Sequence, residues 1–165
     1  MIELKQAKTT GDFEAIEQMA KVVMPEVYGE LIQPKDIDIF LHNYQTVVAI
    51  TRQVNQENYA YYLIYFEGKL AGYVGIQLNK DYIHLSKLYV LKEFRGNKLG
   101  KAGLDLINGI AQEQKKRYVD LFVHIENKGS IAVYQKAGYA ITETLDNTYG
   151  EGYVEKEYRM VKTFA

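Results

Sequence analysis

The stretch Leu88-Tyr89-Val90-Leu91-Lys92-Glu93-Phe94-Arg95-Gly96-Asn97-Lys98-Leu99-Gly100-Lys101 decides how this chain is read. An apolar, β-rich run enters a basic turn with two glycines. A helical pattern leaves it, with Leu99, Ala102, Gly103, Leu106 and Ile110 along one stripe. The backbone N–H groups and positive helix end at such a junction attract an anion, most often a phosphate. Two nucleotide-loop signatures fail here. A Walker A loop needs G-x-x-x-x-G-K-[ST], but Gly100-Lys101 is followed by Ala102 and the first glycine is misplaced. A Rossmann fingerprint belongs near a first strand, and this loop follows at least three strand candidates without the required spacing.

Working outward, Met1 to Lys8 alternates weakly and reads as a first strand. Thr10-Gly11-Asp12 caps a helix carrying Phe13, Ile16, Met19, Ala20 and Val23, with Pro25 near its end. Pro34 opens a second helix with Ile37, Phe40, Leu41 and Tyr44 on one face, proline being suited to the first helical position. Val47 to Glu57 reads as helix fading into loop. Tyr59 to Phe66 and Leu70 to Leu78 form a hairpin around Glu67-Gly68-Lys69, and Tyr82 to Leu91 is the next strand. After the central helix, Tyr118 to Ile125 reads as a buried strand and Ser130 to Ala137 as a short helix stopped by Gly138. Tyr139 to Leu145 and Tyr153 to Thr163 close the pattern. This order predicts an α/β (α+β) domain around one mixed sheet.

The 165 residues suit one domain with a proper core, taken as 1–165. A formal net charge of −1 gives no global field for nucleic acid, so no such partner is expected. There is no cysteine, which removes disulfides, thiolate catalysis and cysteine-bound zinc. The three histidines, His42, His84 and His124, lack metal-ligand spacing, so no metal is expected. No long apolar segment follows the N-terminus. A cytoplasmic protein without membrane attachment is the default expectation.

Arg95-Gly96-Asn97-Lys98-Leu99-Gly100 resembles the Q/R-x-x-G-x-G/A segment of the GNAT family of N-acetyltransferases. Asn127-x-x-Ser130-Ile131-x-x-Tyr134-x-Lys136-x-Gly138-Tyr139 is similar to the same family's second conserved segment, in the right order and context. The resemblance implies one domain with a central mixed, mostly antiparallel twisted sheet flanked by helices, its fourth strand splayed. It implies acetyl-CoA as cofactor. Leu88, Tyr89 and Val90 would pair with the pantetheine arm, and the Val90 amide would polarise the thioester carbonyl. Arg95, Gly96, Asn97, Lys98, Leu99, Gly100 and Lys101 would receive the pyrophosphate. Asn127, with Ser130 and Lys136 of the second segment, would complete the cofactor site, although Asn127 also suits a helix cap. Lys98 departs from the pattern, which has glycine there. Lysine does not readily adopt positive φ, so a slightly reshaped loop is expected, its ammonium able to reach a phosphate.

By the same resemblance Tyr134 is the acid that protonates the departing thiolate. For the base, family members use a glutamate on the fourth strand, and the matching position is His84. Period-two alternation puts His84, Ser86, Leu88 and Val90 on one face, and histidine titrates in the right range. A half-exposed strand histidine is the competing reading, and His124 is a lesser rival. Glu26, Tyr28, Tyr149 and Tyr153 fall in regions that border the acceptor site in this fold. Carboxylates and aromatic faces attract cations, so a small primary amine such as a polyamine is the expected substrate, as in the polyamine-acetylating branch. A peptide N-terminal acetyltransferase and a catalytically idle acyl-CoA sensor are the alternatives. Homodimers are common in such folds, but no interface is legible.

Overall fold

The computed structural model describes residues 1–164. The elements in chain order are β1 (Ile2–Gln6), α1 (Thr10–Tyr28), α2 (Pro34–Tyr44), α3 (Val47–Gln56), β2 (Tyr59–Phe66), β3 (Lys69–Leu78) and β4 (Tyr82–Val90). A short 3-10 turn (Lys92–Phe94) then leads to α4 (Leu99–Glu113), β5 (Tyr118–His124), α5 (Lys128–Lys136), β6 (Ala140–Thr148) and β7 (Val154–Thr163). The strands form one seven-stranded sheet in the order β1-β2-β3-β4-β5-β7-β6. Every pairing is antiparallel except that of β4 with β5. The expected mixed, mostly antiparallel sheet is what the chain builds.

Two apolar layers sandwich the sheet. On one side Leu99, Leu104, Ile107 and Ala111 of α4 pack on Val74, Ile83, Leu85 and Val119. On the other, Phe13, Ile16 and Ala20 of α1 and Ile50 of α3 cover Tyr61, Leu63 and Tyr73. The tyrosines on this second face are wired together inside the protein. Tyr61 donates to Gln53, Gln45 donates to Tyr61, and Tyr73 donates to Gln45 at 2.6 Å. Buried hydroxyls need such partners.

Two expectations need adjusting. The stretch after Val47 is a full helix rather than a fading one, because Thr46 caps it by accepting the Ala49 N–H at 3.1 Å and Ala49, Ile50 and Gln53 are buried. The strict alternation on β4 fails. Gly75 pairs with Lys87 but Ile76 pairs with Leu85, so Ser86 is the extra residue of a β-bulge. Before it, Ile83 and Leu85 face the α4 layer; after it, Leu88 and Val90 do. His84 therefore shares its face with Lys87 and Tyr89, not with Leu88 and Val90.

Candidate active site

β4 and β5 are in register only from Tyr82–Tyr118 to Leu85–Leu121. Beyond that the strands diverge, and the bulge at Ser86 sits at the parting point. Leu91 N–H donates to Ala71 O at 2.8 Å. Successive amides of a strand alternate in direction, so the N–H groups of Val90 and Leu88 point away from β3 into the gap. These unpaired backbone groups form one wall of a cavity of about 660 Å³. Val123, Asn127, Ser130 and Tyr134 from β5 and α5 line the facing side.

At the outer end of the gap stands the turn before α4. Gly96 and Lys98 both have positive φ, 86° and 64°. Lys98 thus takes the left-handed geometry itself, which the sequence reading did not expect of a lysine. It is the N-cap of α4 without a side-chain cap bond. The first intrahelical bond runs from Ala102 N–H to Lys98 O, so the amides of Leu99, Gly100 and Lys101 have no backbone partner. A Cβ added at Gly96 or Gly100 would meet nothing within 4 Å. This open ring of N–H donors at a helix N-terminus has the right chemistry for a pyrophosphate, and the unpaired edge of β4 suits an amide-bearing arm. The residues thus fit coenzyme A.

The side chains divide differently from the sequence expectation. Leu88, Tyr89, Val90, Arg95, Asn127, Ser130 and Tyr134 line the cavity, whereas Gly96 to Lys101 and Lys136 lie outside it. Leu99 is core, Lys101 pairs with Asp105 at 2.8 Å, and Asn97 holds Phe94 O at 2.9 Å. Arg95 turns inward, donating to Val90 O at 3.1 Å and meeting Glu26 at 3.7 Å. Asn127 does cap α5, accepting the Ser130 N–H at 3.4 Å. The Tyr134 ring meets Tyr139 edge-on at 5.9 Å. Burial, followed by the nearby Tyr28 hydroxyl, pushes its phenol well above the usual range, so it keeps its proton at neutral pH.

Both candidate bases line the cavity. His84 Nδ1 lies 2.7 Å from Asp120 Oδ1, and Arg159 Nε donates to the other carboxylate oxygen at 3.0 Å. Asp120 thereby fixes the tautomer with the proton on Nδ1 and leaves Nε2 as the acceptor. His124 is committed on both nitrogens: Nδ1 accepts the Glu126 N–H at 3.0 Å and Nε2 meets Glu155 at 2.8 Å. His84 and Val90 both line the cavity, on either side of the bulge in β4.

The four residues expected at the acceptor side, Glu26, Tyr28, Tyr149 and Tyr153, all line the cavity. Tyr28 and Tyr89 hydroxyls are 3.1 Å apart, and the Tyr149 ring packs on Phe40 and Tyr153. Two further residues line the cavity: Glu155, in the final-strand region that the sequence places at the acceptor border, and Lys87, which escaped the sequence reading. Glu155 is a buried carboxylate whose burial raises its pKa, opposed by His124 and Tyr153. Lys87 is half-buried over the Phe40 ring at 5.1 Å, and burial lowers its ammonium to about 8 against the opposing pull of Glu157. A lysine among strand hydrophobics reads as a solvent-facing residue; only the bulge reveals where it points. Among the described residues, no group of side chains is arranged to hold a metal, and no helix is long and apolar enough to cross a membrane.

The family model for "Acetyltransferase (GNAT) family" matches residues 16–139, which takes in the whole splayed region and both motif segments. The chain belongs to the GNAT family. Among curated relatives, an uncharacterized N-acetyltransferase of Methanocaldococcus jannaschii is 28% identical over 85 residues, 47% of this chain and 38% of that protein. A Bacillus subtilis protein named as a candidate ribosomal protein bS18-alanine N-acetyltransferase is 31% identical over 81 residues, 48% of this chain and 54% of that one. The matches thus span about half or less of those GNAT relatives. In structure, the PaiA N-acetyltransferase of Thermoplasma acidophilum, crystallised with coenzyme A, superposes with a TM-score of 0.83 at 17% identity, covering 99% of each chain. That likeness shows a shared fold along the whole chain.

Proposed function

We propose that the protein transfers an acetyl group from acetyl-CoA directly to a small primary amine. The observation that carries this reading is the gap between β4 and β5. It joins an anion-binding helix end to a cavity holding a protonated phenol and an oriented imidazole. Acetyl-CoA supplies the activated acetyl group when bound. The Leu99 to Lys101 amides would hold its pyrophosphate, and the open edge of β4 at Leu88 would pair with its pantetheine arm. The Val90 N–H would be the donor for the thioester carbonyl. Nε2 of His84 takes the proton of the incoming amine, and Asp120 stabilises the imidazolium that results. Tyr134 holds its proton ready for the departing sulfur.

A protein N-terminal amine is the second reading, favoured by the similarity to the bS18-alanine acetyltransferase of B. subtilis. Thiol release from acetyl-CoA, measured against amines, amino acids and N-terminal peptides, separates the two. In the same assay Tyr134→Phe lowers kcat by about 100-fold or more, the scale of general acid catalysis, with CoA affinity nearly unchanged. An unchanged kcat removes Tyr134 from the acid role. Absence of thiol release with every acceptor, despite CoA binding, would favour the idle sensor.

A further inference from the structure

The charged side chains lining the cavity are mostly matched before any substrate arrives. Arg95 faces Glu26, and His124 faces Glu155. Glu157 is held by two neutral donors, the Tyr149 hydroxyl and Asn147 Nδ2 at 2.8 Å. Lys87 differs. Its ammonium donates to Ser86 Oγ at 2.6 Å and lies over the Phe40 ring, and among the described residues no carboxylate reaches it at ion-pair distance. An ammonium has three donors, and two of these have no protein acceptor among the described residues. Drawing a charge out of water with so few partners is costly, and the lowered pKa of Lys87 registers the same cost.

The wall thus carries on β4 a cation without an ion-pair partner and, on β7, the carboxylates Glu155 and Glu157 already held by donors of their own. That layout is complementary to a molecule with an anion at one end and an amine at the other. We propose that Lys87 selects the acceptor by receiving its carboxylate, so that the substrate is a free amino carboxylate rather than a polyamine. The inference rests on the acetyltransferase reading above and narrows its amine. A polyamine would set like charge against Lys87. A peptide N-terminus offers an uncharged amide where an amino acid has its carboxylate.

The test uses matched acceptors: lysine beside cadaverine, ornithine beside putrescine and phenylalanine beside phenethylamine, with spermidine and an alanine-initiated peptide added. The wild-type protein favours the amino acid of at least one pair by about ten-fold or more in kcat/KM, the scale of a charge-assisted pair. Lys87→Met, close in volume, brings that ratio to within about three-fold, chiefly through KM, while Lys87→Arg retains it. Preference for the decarboxylated partner, spermidine or the peptide overturns the proposal. So does a ratio that Lys87→Met leaves unmoved. If CoA binds but no amine is acetylated, the acetyltransferase reading itself has failed. Lys87 is then judged by the nitrogen NMR signal of its Nζ in the CoA-loaded protein. Titration with the amino acids, but not with their decarboxylated partners, shifts that signal; no shift overturns the proposal. The NMR readout also decides the matter if Lys87→Met does not fold.

Discussion

Gly72 faces Val90 across the β3–β4 ladder, beside the amide assigned to the thioester. A Cβ built at Gly72 would lie 2.3 Å from the Tyr89 carbonyl oxygen and 3.1 Å from Val90 Cα. Ordinary contacts begin at 3.4 Å, so β4 must retreat by about 1 Å. Both obstacles are backbone and cannot swing aside as a side chain would. Overpacking of this kind costs about 1–3 kcal/mol. At about 2–4 °C per kcal/mol for a chain of this size, Gly72→Ala lowers Tm by roughly 2–12 °C. The same displacement moves the Leu88 and Val90 amides, and a misplacement of about 1 Å can cost about 100-fold in rate. Calorimetric melting paired with steady-state thiol release measures both effects. Gly109→Ala is the control, because its Cβ would meet nothing within 4 Å on an exposed helix face. That change raises stability by up to about 1 kcal/mol. A Gly72→Ala protein with wild-type Tm and kcat would refute the close-approach argument and the placement of the amides together.

The N-terminus of α1 supplies a pH-dependent prediction. Asp12 accepts the N–H groups of Lys8 and Thr9 at 2.8 and 3.1 Å, while Thr9 Oγ1 accepts the Asp12 N–H, a reciprocal cap. Asp12→Ala therefore costs about 1 kcal/mol near neutrality. Those backbone bonds hold the carboxyl below its ordinary 3.8, so the unfolded chain binds the proton more tightly than the folded one. The carboxylate's contribution is complete above that ordinary value and is lost as pH falls through the lower native one. The Tm gap between wild type and variant closes on acidification below that value; a gap independent of pH contradicts the assignment. At Lys98, the left-handed backbone carries a strain of about 1–2 kcal/mol for a side chain. Lys98→Gly relieves it but loosens the unfolded chain, leaving stability within about 1 kcal/mol of wild type, while Lys98→Val, β-branched, loses about 1–2 kcal/mol. Urea melts of the three proteins check the ranking.

What was legible in the sequence was whatever repeats or punctuates. The stripe on α4, the Gly68 turn and the cap ahead of Phe13 each announce themselves by period or residue type. The order of elements and the two motif segments carried the sheet and the turn before α4. What escaped depends on a single residue or on contacts distant in sequence. Ser86 looks like any polar strand residue, yet as the bulge it decides which face His84 and Lys87 occupy. Nothing local to His84 announces Asp120, its partner across the parallel pairing. Glu155 alternates with other charges along β7 and reads as solvated, whereas packing buries it beside His124. The Val47 helix was underestimated because its stability comes from burial against α1 and β2 rather than from propensity.

The bulge at Ser86 also bears on how such a site can change over time. Point substitution alters what one position presents but leaves each position on its own side of the sheet. Loss of the single extra residue would restore strict alternation while leaving Ile83, Leu85, Leu88 and Val90 together on the α4 layer and His84 with Lys87 and Tyr89 on the other. Loss of a residue elsewhere in β4, with the bulge kept, would instead carry one part of the strand to the opposite layer relative to the rest. Position 86 is therefore the one point of β4 at which chain length can change without exchanging the two faces.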